Sequence, residues 1–220
     1  MLSAKIVGHQ MDAEFGYYYT GVDNASPDLQ TNFVSVLGLN GSLDLTEQDG
    51  SVFYNSIDRS WRFEKVTKAT EYDDIEKESR ILRRAINGKS GSIIFDADQS
   101  FYYNGRITKV NVSCEDDGRL VCTVTAHCDP YRYRVAETIV GGAVSASGQF
   151  DLVNSAMEVS PLVVLDAEMT LSYTIRGTSY QAVLSSGSHY VDTLVLYEGT
   201  TAVTVTGSGN IEFRYRQGEL

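Results

Sequence analysis

Two apolar rows on either side of one acidic turn constrain this chain more than any other stretch. Val110, Val112 and Cys114 alternate with polar residues, and the alternation resumes at Leu120, Cys122, Val124 and Ala126 after Glu115-Asp116-Asp117-Gly118-Arg119. Period-two alternation marks a half-buried strand, and a short glycine-containing turn between two such runs makes a hairpin. A three-residue loop from Asp116 to Gly118, with Gly118 left-handed, sets Cys114 opposite Leu120, Val112 opposite Cys122 and Val110 opposite Val124 on one face. A two-residue turn at Asp117-Gly118 would set this apolar row against the partner's polar row, so the hydrophobic pattern selects the longer loop.

Most of the remaining chain reads the same way, and the expected fold is mainly β with one helix. The 14 tyrosines and 19 glycines set against 3 prolines in 220 residues suit strands and turns. The exception runs from about Glu71 to Asn87. Thr70 can cap its first amides, Asp73 stands where a capping box places an acid, and Asp74, Glu76 and Glu78 follow near the positive end of the dipole. Arg80, Arg83 and Arg84 load the other end. Tyr72, Ile75, Leu82 and Ile86 form one stripe, and Gly88 is placed to stop the helix, which predicts an amphipathic helix packed on a sheet.

A change of composition divides the chain into 1–135 and 136–220, with the junction in Ala136 to Gly142. Beyond residue 135 there is no lysine, and the only arginines are Arg176, Arg214 and Arg216. Short alternating runs at Leu171-Tyr173-Ile175, Val191 to Tyr197, Ala202 to Thr206 and Ile211-Phe213-Tyr215 are separated by Gly177, Ser186-Gly187, Gly199 and Gly207-Ser208-Gly209. That spacing predicts a small β-sandwich.

The net charge of −11 opposes binding to phosphates or to an anionic membrane. No run approaches the roughly 20 apolar residues of a membrane span, and the N-terminus lacks the apolar core of a signal peptide, so synthesis and folding in cytoplasm are expected. Cys122 and Cys128 fall six apart in one expected strand, about 20 Å at about 3.3 Å per residue, too far to bridge. His9, His127 and His189 are scattered, without metal-ligand spacing. Gly88-Lys89-Ser90 matches the end of a phosphate-binding loop, but Arg83 stands where its first glycine belongs. Asp96-Ala97-Asp98 lacks the glycine and distal glutamate of a calcium loop, and no Gly-x-Ser-x-Gly elbow occurs.

Several segments, in order, resemble the distal tail protein family of long-tailed phages. Val34-Ser35-Val36-Leu37-Gly38-Leu39-Asn40-Gly41-Ser42-Leu43-Asp44-Leu45-Thr46-Glu47 is similar to the family's apolar strand, glycine turn and Asp-Leu-Thr. Tyr54-Asn55-Ser56-Ile57-Asp58-Arg59, leading to Trp61-Arg62-Phe63, resembles its tyrosine, asparagine, arginine and aromatic pattern, with Ser56 and Ile57 as an insertion. Asn87-Gly88-Lys89, Ile93-Ile94-Phe95-Asp96 and Tyr102-Tyr103-Asn104-Gly105-Arg106-Ile107 follow, then Cys128-Asp129-Pro130-Tyr131-Arg132-Tyr133. The second part matches only around Val153-Asn154-Ser155 and Pro161. The motif positions, of structural or interface character, are Gly38, Gly41, Asp44, Tyr54, Arg59, Gly88, Asp96, Gly105, Arg106, Cys128, Asp129 and Pro130.

The resemblance implies a β-rich first domain that forms a homo-hexameric ring around a channel for DNA, and a galectin-like β-sandwich as the second. It implies as partners the tail tube protein, the tail-tip hub or tail-associated lysin and a receptor-binding protein, with the virion tail tip as location. It implies no catalytic residue, cofactor or metal. The acidic balance adds an expectation of its own, a lumen lined by acids or neutral polar groups so that phosphates slide past. Contacts are expected near the Asn40-Gly41 loop and near Tyr102 to Arg106. Two rivals remain: a carbohydrate-binding module stacking sugars on Tyr173, Tyr180, Tyr190 and Tyr197, and a hydrolase built on an acid pair brought together by the fold.

Overall fold

The computed structural model describes residues 2–22, 26–38, 40–47, 50–65 and 72–220, without the side chains of 72 and 73. The expected helix start at Thr70 and Glu71, the side chains of Tyr72 and Asp73, and Leu39 lie outside the described residues. The chain is mainly β, and it divides into two compact units, Met1–Arg132 with Leu220 and Tyr133–Glu219.

The first unit begins with β1 (Ala4–Ile6), β2 (His9–Gln10), α1 (Met11–Phe15), β3 (Tyr18–Val22), β4 (Phe33–Ser35), β5 (Ser42–Asp44) and β6 (Ile57–Lys65). It continues with α2 (Tyr72–Ile86), β7 (Ser90–Phe95), β8 (Asp98–Cys114) and β9 (Leu120–Arg134), which carries the chain on into the second unit. The strands pair in the order β2-β1-β7-β8-β9-β6-β3, while β4 and β5 form a separate ribbon. The β8–β9 loop closes as its sequence requires. Glu115 donates its N–H to the Arg119 carbonyl, Gly118 donates to Glu115, and Gly118 has φ +86°. Val110, Leu120, Cys122 and Val124 are buried, but the row ends in solvent, because Cys114 is exposed.

Helix α2 sets Leu82 and Ile86 into the core, with Ile75 partly covered and Ser79 buried in the same stripe. It stops at Gly88, whose φ of +76° turns the backbone so that its N–H reaches the Ile107 carbonyl. The short α1 was not anticipated, since five residues give no period to read.

The second unit holds β10 (Thr138–Asn154), β11 (Leu162–Leu165), β12 (Met169–Ile175), β13 (Thr178–Leu184), β14 (Gly187–Tyr190), β15 (Gly199–Tyr215) and β16 (Gly218–Glu219). β10 and β15 form one antiparallel ribbon in unbroken register, from Thr138↔Tyr215 to Asn154↔Gly199. Gly207-Ser208-Gly209 is therefore not a turn between two strands. It is a bend within one strand. Drawn straight at about 3.3 Å per residue, Thr138 and Val153 would lie about 50 Å apart. Yet Tyr215, which pairs with Thr138, donates its hydroxyl to the Val153 carbonyl at 2.8 Å.

The folded-back ribbon makes the two layers. β12 pairs with residues 203–207 of β15 and β11 with residues 211–214, so the halves of one strand recruit different partners. Val203, Val205, Ile211 and Phe213 all join one core with Val163, Leu165, Met169 and Leu171. The inside of the bend is filled by the β11–β12 turn. A Cβ at Gly209 would fall 2.3 Å from Asp166 Oδ1 and 2.9 Å from Met169 Cε. The Asp166 carboxylate accepts the Asn210 backbone N–H and its side-chain amide, both at 2.7 Å, which pins the bend.

Val191 to Tyr197 is not a strand either. Leu194 folds back in a turn onto Val191, and Leu196 makes an isolated bridge with Val159. Leu194 and Leu196 are nonetheless buried, so the alternation of burial is real while the hydrogen-bond ladder is absent. The Gly177 turn is as expected, with Arg176 at φ +47° and Gly177 at φ +78° between paired Ile175 and Thr178.

Candidate functional site

The ribbon of β4 and β5 projects from the first unit as an arm. Its root is tied by the Leu29↔Tyr54 bridge and by hydrogen bonds from Gln30 to Phe53 and from Asn55 to Asp28. Its outer part pairs Phe33↔Asp44, Val34↔Leu43 and Ser35↔Ser42. Gly38 and Gly41 turn the tip at φ +86° and +92°. Asp44 accepts the Thr46 N–H, and hydrogen bonds to Thr46 hold its carboxyl below the usual range.

What distinguishes the arm is that both strands are exposed throughout. Phe33 is 59 % exposed and Leu37 is 105 % exposed, and Leu29, Val34, Val36, Leu43 and Phe53 are exposed as well. An isolated two-stranded hairpin is marginal in water, and an apolar one presents the surface that proteins bury against partners. A groove of about 470 Å³ runs along Leu29, Phe33 and Asp44 to Glu47.

At the root of the arm lies a second cleft of about 350 Å³, lined by Ser26, Pro27, Tyr54, Arg59, Tyr103 and Arg132 with Leu220. Arg59 shares the inward face of β6 with Trp61 and Phe63, and it is only 6 % exposed. Its guanidinium lies 4.7 Å from the centroid of the Tyr103 ring, which itself packs on Trp61. Among the described residues, Arg59 Nε has no hydrogen-bond partner. Arg132 reaches Asp98 at 3.5 Å and lies over Phe101. Tyr54 sets its ring edgewise on Tyr131.

Ten of the twelve motif positions fall into three groups. Gly38, Gly41 and Asp44 are in the arm, and Tyr54 and Arg59 line the cleft. Gly88, Gly105, Arg106, Cys128 and Asp129 meet where β7, β8 and β9 run side by side. There Arg106 donates to the Gly88 carbonyl at 2.7 Å, and Asn104 donates to Asp129 at 2.9 Å. Gly105 leaves no room for a side chain, since a Cβ would fall 2.7 Å from Cys128 Sγ. Pro130 continues β9 half-buried, while Asp96 stands apart in the exposed β7–β8 turn, its N–H donating to Ser3. The sequence reading missed Phe33 as a surface residue and Arg59 as a buried one. The parity of Arg59 with Trp61 and Phe63 was the available signal.

The remaining chemistry is local. Burial pushes the Cys122 and Cys128 thiols up to about 12, away from thiolate reactivity. His9 pairs with Glu14 and His127 with Asp58, both at 2.8 Å. Among the described residues no three His, Cys, Asp or Glu side chains are grouped to hold a metal, and no helix is long and apolar enough to cross a membrane. The four tyrosines of the carbohydrate-binding reading form no stacking platform. Tyr173 is buried with its hydroxyl on Thr193, Tyr180 stacks on Tyr173, Tyr197 is covered by Arg176, and Tyr190 is exposed, at 68 %.

No model of a known family matches the sequence. No curated protein matches it either. Solved structures do. The chain is similar to the SPP1 Dit protein, a hub of the adsorption apparatus in phages infecting Gram-positive bacteria, with a TM-score of 0.71 and 13% identity over 98% of this chain and 99% of that one. It is also similar to a chain of the phage P2 baseplate in its activated conformation with calcium, at a TM-score of 0.50 and 8% identity over 97% and 98% of the two chains. The fold from one end to the other is thus that of a phage Dit hub protein, as the ordered motifs led one to expect.

Proposed function

We propose that this chain is a structural subunit of a phage tail tip, a distal tail protein that closes into a homo-hexameric ring. The ring joins the tail tube protein on one side to the tail-tip hub or lysin and the receptor-binding parts on the other, and DNA leaves through its channel. The first domain builds the ring. The second is a galectin-like sandwich. The protein works in the virion after being made in the host cytoplasm, and by this reading it performs no catalysis.

The whole-length likeness to a hub protein supports this reading, and the observation that carries it is the arm. A chain that holds out Phe33, Val34, Val36, Leu37 and Leu43 on a ribbon with no core of its own needs a partner to cover them. A second copy can do so, and an arm that reaches from each subunit to the next is a heterologous contact, the kind that generates rings when the rotation closes.

Light scattering across a range of protein concentrations, followed by negative-stain imaging, tests the proposal. Closed rings with a central hole are expected. A chain that stays monomeric at every concentration, with the arm intact, would refute self-assembly through this ribbon.

A further inference from the structure

The cations of the first unit are gathered on one face. Residues 79–95 and 99–114 cover the second half of α2, all of β7 and all but the first residue of β8. They hold Arg80, Arg83, Arg84, Lys89, Arg106 and Lys109 and not one aspartate or glutamate. Hydrogen bonds bring these segments together: Gly88 donates its N–H to Ile107, Ile107 donates to Lys89, and Arg83 Nε donates to the Val110 carbonyl at 3.2 Å. All six cations are exposed, and among the described residues none pairs with a carboxylate, although the chain carries 29 acids. Elsewhere cations are held by acids, Lys65 by Glu78, Arg119 by Glu64 and Arg214 by Glu212. The helix dipole accounts for cations in the last turns of α2, but not for Arg106 and Lys109, which come from β8. The outer stripe of α2 runs Lys77, Arg80, Ile81 and Arg84, so an isoleucine 43 % exposed stands among the charges.

The arm has the opposite character. No lysine or arginine occurs between Ile6 and Asp58. The groove of the arm joins the apolar Leu29 and Phe33 to the exposed carboxylates of Asp44 and Glu47. Ile81 and the apolar residues of the arm are all exposed in the single chain, so the arm does not cover its own helix. We infer that the basic face of α2 and β8 is the seat for the arm of a second copy, with Asp44 and Glu47 set against the cations and Ile81 against the apolar groove. The inference rests on self-assembly through the arm and names the surface that the arm grasps. Charge complementarity selects this face: acids without cations are repelled by a chain of net charge −11, except where it presents cations without acids. A phosphate chain would satisfy the cations as well, but it offers nothing to Ile81. Arm and seat are different surfaces of one subunit, as a heterologous contact requires.

The test compares full-length wild type with two changes to the seat, Arg80→Glu/Arg84→Glu and the milder Arg80→Gln/Arg84→Gln, and one change to the arm, Phe33→Ser/Leu37→Ser. In dilute solution each is expected to melt within a few degrees of wild type, because the altered side chains are exposed. In light scattering over concentration, the Gln pair is expected to weaken self-association by about tenfold or more and the Glu pair further. Wild-type association is expected to fall as salt rises. The arm variant and the Glu pair, each monomeric alone where wild type assembles, are expected to give dimers and nothing larger when mixed. One chain then supplies the arm and the other the seat.

Assembly of the Glu pair equal to that of wild type would overturn this seat and leave assembly through the arm standing. A short DNA duplex bound by wild type and not by the Glu pair would then assign the face to a polyanion. Mixed variants that stay monomeric would overturn the seat too, since arm and helix would have different partners. Where the Glu pair lowers the melting midpoint sharply, the Gln pair decides by the same criterion. A wild type that is monomeric at every concentration would overturn both the seat and the ring.

Discussion

Leu37 gives the cleanest test of the arm, because it is 105 % exposed and its side chain has nothing of its own chain to lose. Changing Leu37 to Ser leaves the folded subunit's contacts intact, so its unfolding free energy should move by no more than about 0.5 kcal/mol, as for surface substitutions generally. Association is different. Fully burying a leucine in a partner contributes about 1.5–3 kcal/mol, and Phe33, 59 % exposed, adds a similar but smaller amount. Leu37→Ser should therefore weaken each contact by roughly 10- to 100-fold, and Phe33→Ser/Leu37→Ser by roughly 100-fold or more. Mass measured by light scattering over concentration reads the association, and melting of the dilute protein reads the fold. Assembly that is unchanged in the double variant would show that the arm's apolar residues do not form the contact. A drop of many degrees in the dilute protein would show instead that the arm packs on its own chain.

Three further outcomes follow from the fold. Gly209→Ala should cost about 2–4 kcal/mol, because its Cβ meets Asp166 and Met169 inside the bend at φ +146°; adding Asp166→Ala should recover part of the loss, as read by thermal melting. Hydrogen bonds from the Asn210 backbone, then its side chain, lower the Asp166 carboxyl below 3.8, so its stabilisation is complete above that value and is lost as pH falls through the folded one. Asp166→Asn should accordingly flatten the acid side of the melting profile, and an identical profile would remove Asp166 from the account. Of the three thiols, only Cys114 should react with an exposed-thiol reagent in the native protein, with Cys122 and Cys128 following on denaturation; prompt native labelling of all three would contradict the packing.

The β8–β9 hairpin was legible in the sequence because two independent signals, loop length and hydrophobic parity, admit one register. Helix α2 was legible for a similar reason, since Leu82, Ile86 and Gly88 agree on where it packs and where it stops. The second unit was legible as strands but not as a topology. Gly207-Ser208-Gly209 carries the composition of a turn, and glycine is equally required where another segment crowds a bent strand. Nothing local to those residues separates the two cases. The distinction lies in Asp166, Ala167 and Met169, some forty positions earlier, which fill the space the missing side chains leave. Val191 to Tyr197 shows the converse, in which burial alternates as in a strand while the backbone turns through Val191 to Leu194.

The arm and the cleft were hidden for one shared reason. Val34, Val36 and Leu43 have the spacing of core strands, and only tertiary structure reveals that no sheet covers them. Arg59 has the composition of a surface residue, and only its parity with Trp61 and Phe63 places it inside. Each departs from what an isolated subunit would favour: one leaves apolar groups in water, the other buries the Nε of a guanidinium without a partner among the described residues. Both departures lie in the first unit, and Tyr54 links them, anchoring the arm through Leu29 and lining the cleft beside Arg59. A neighbour docked at the arm would cover the apolar ribbon. Selection for a stable monomer alone would have removed so exposed an apolar ribbon, whereas a protein that buries it against a partner keeps it.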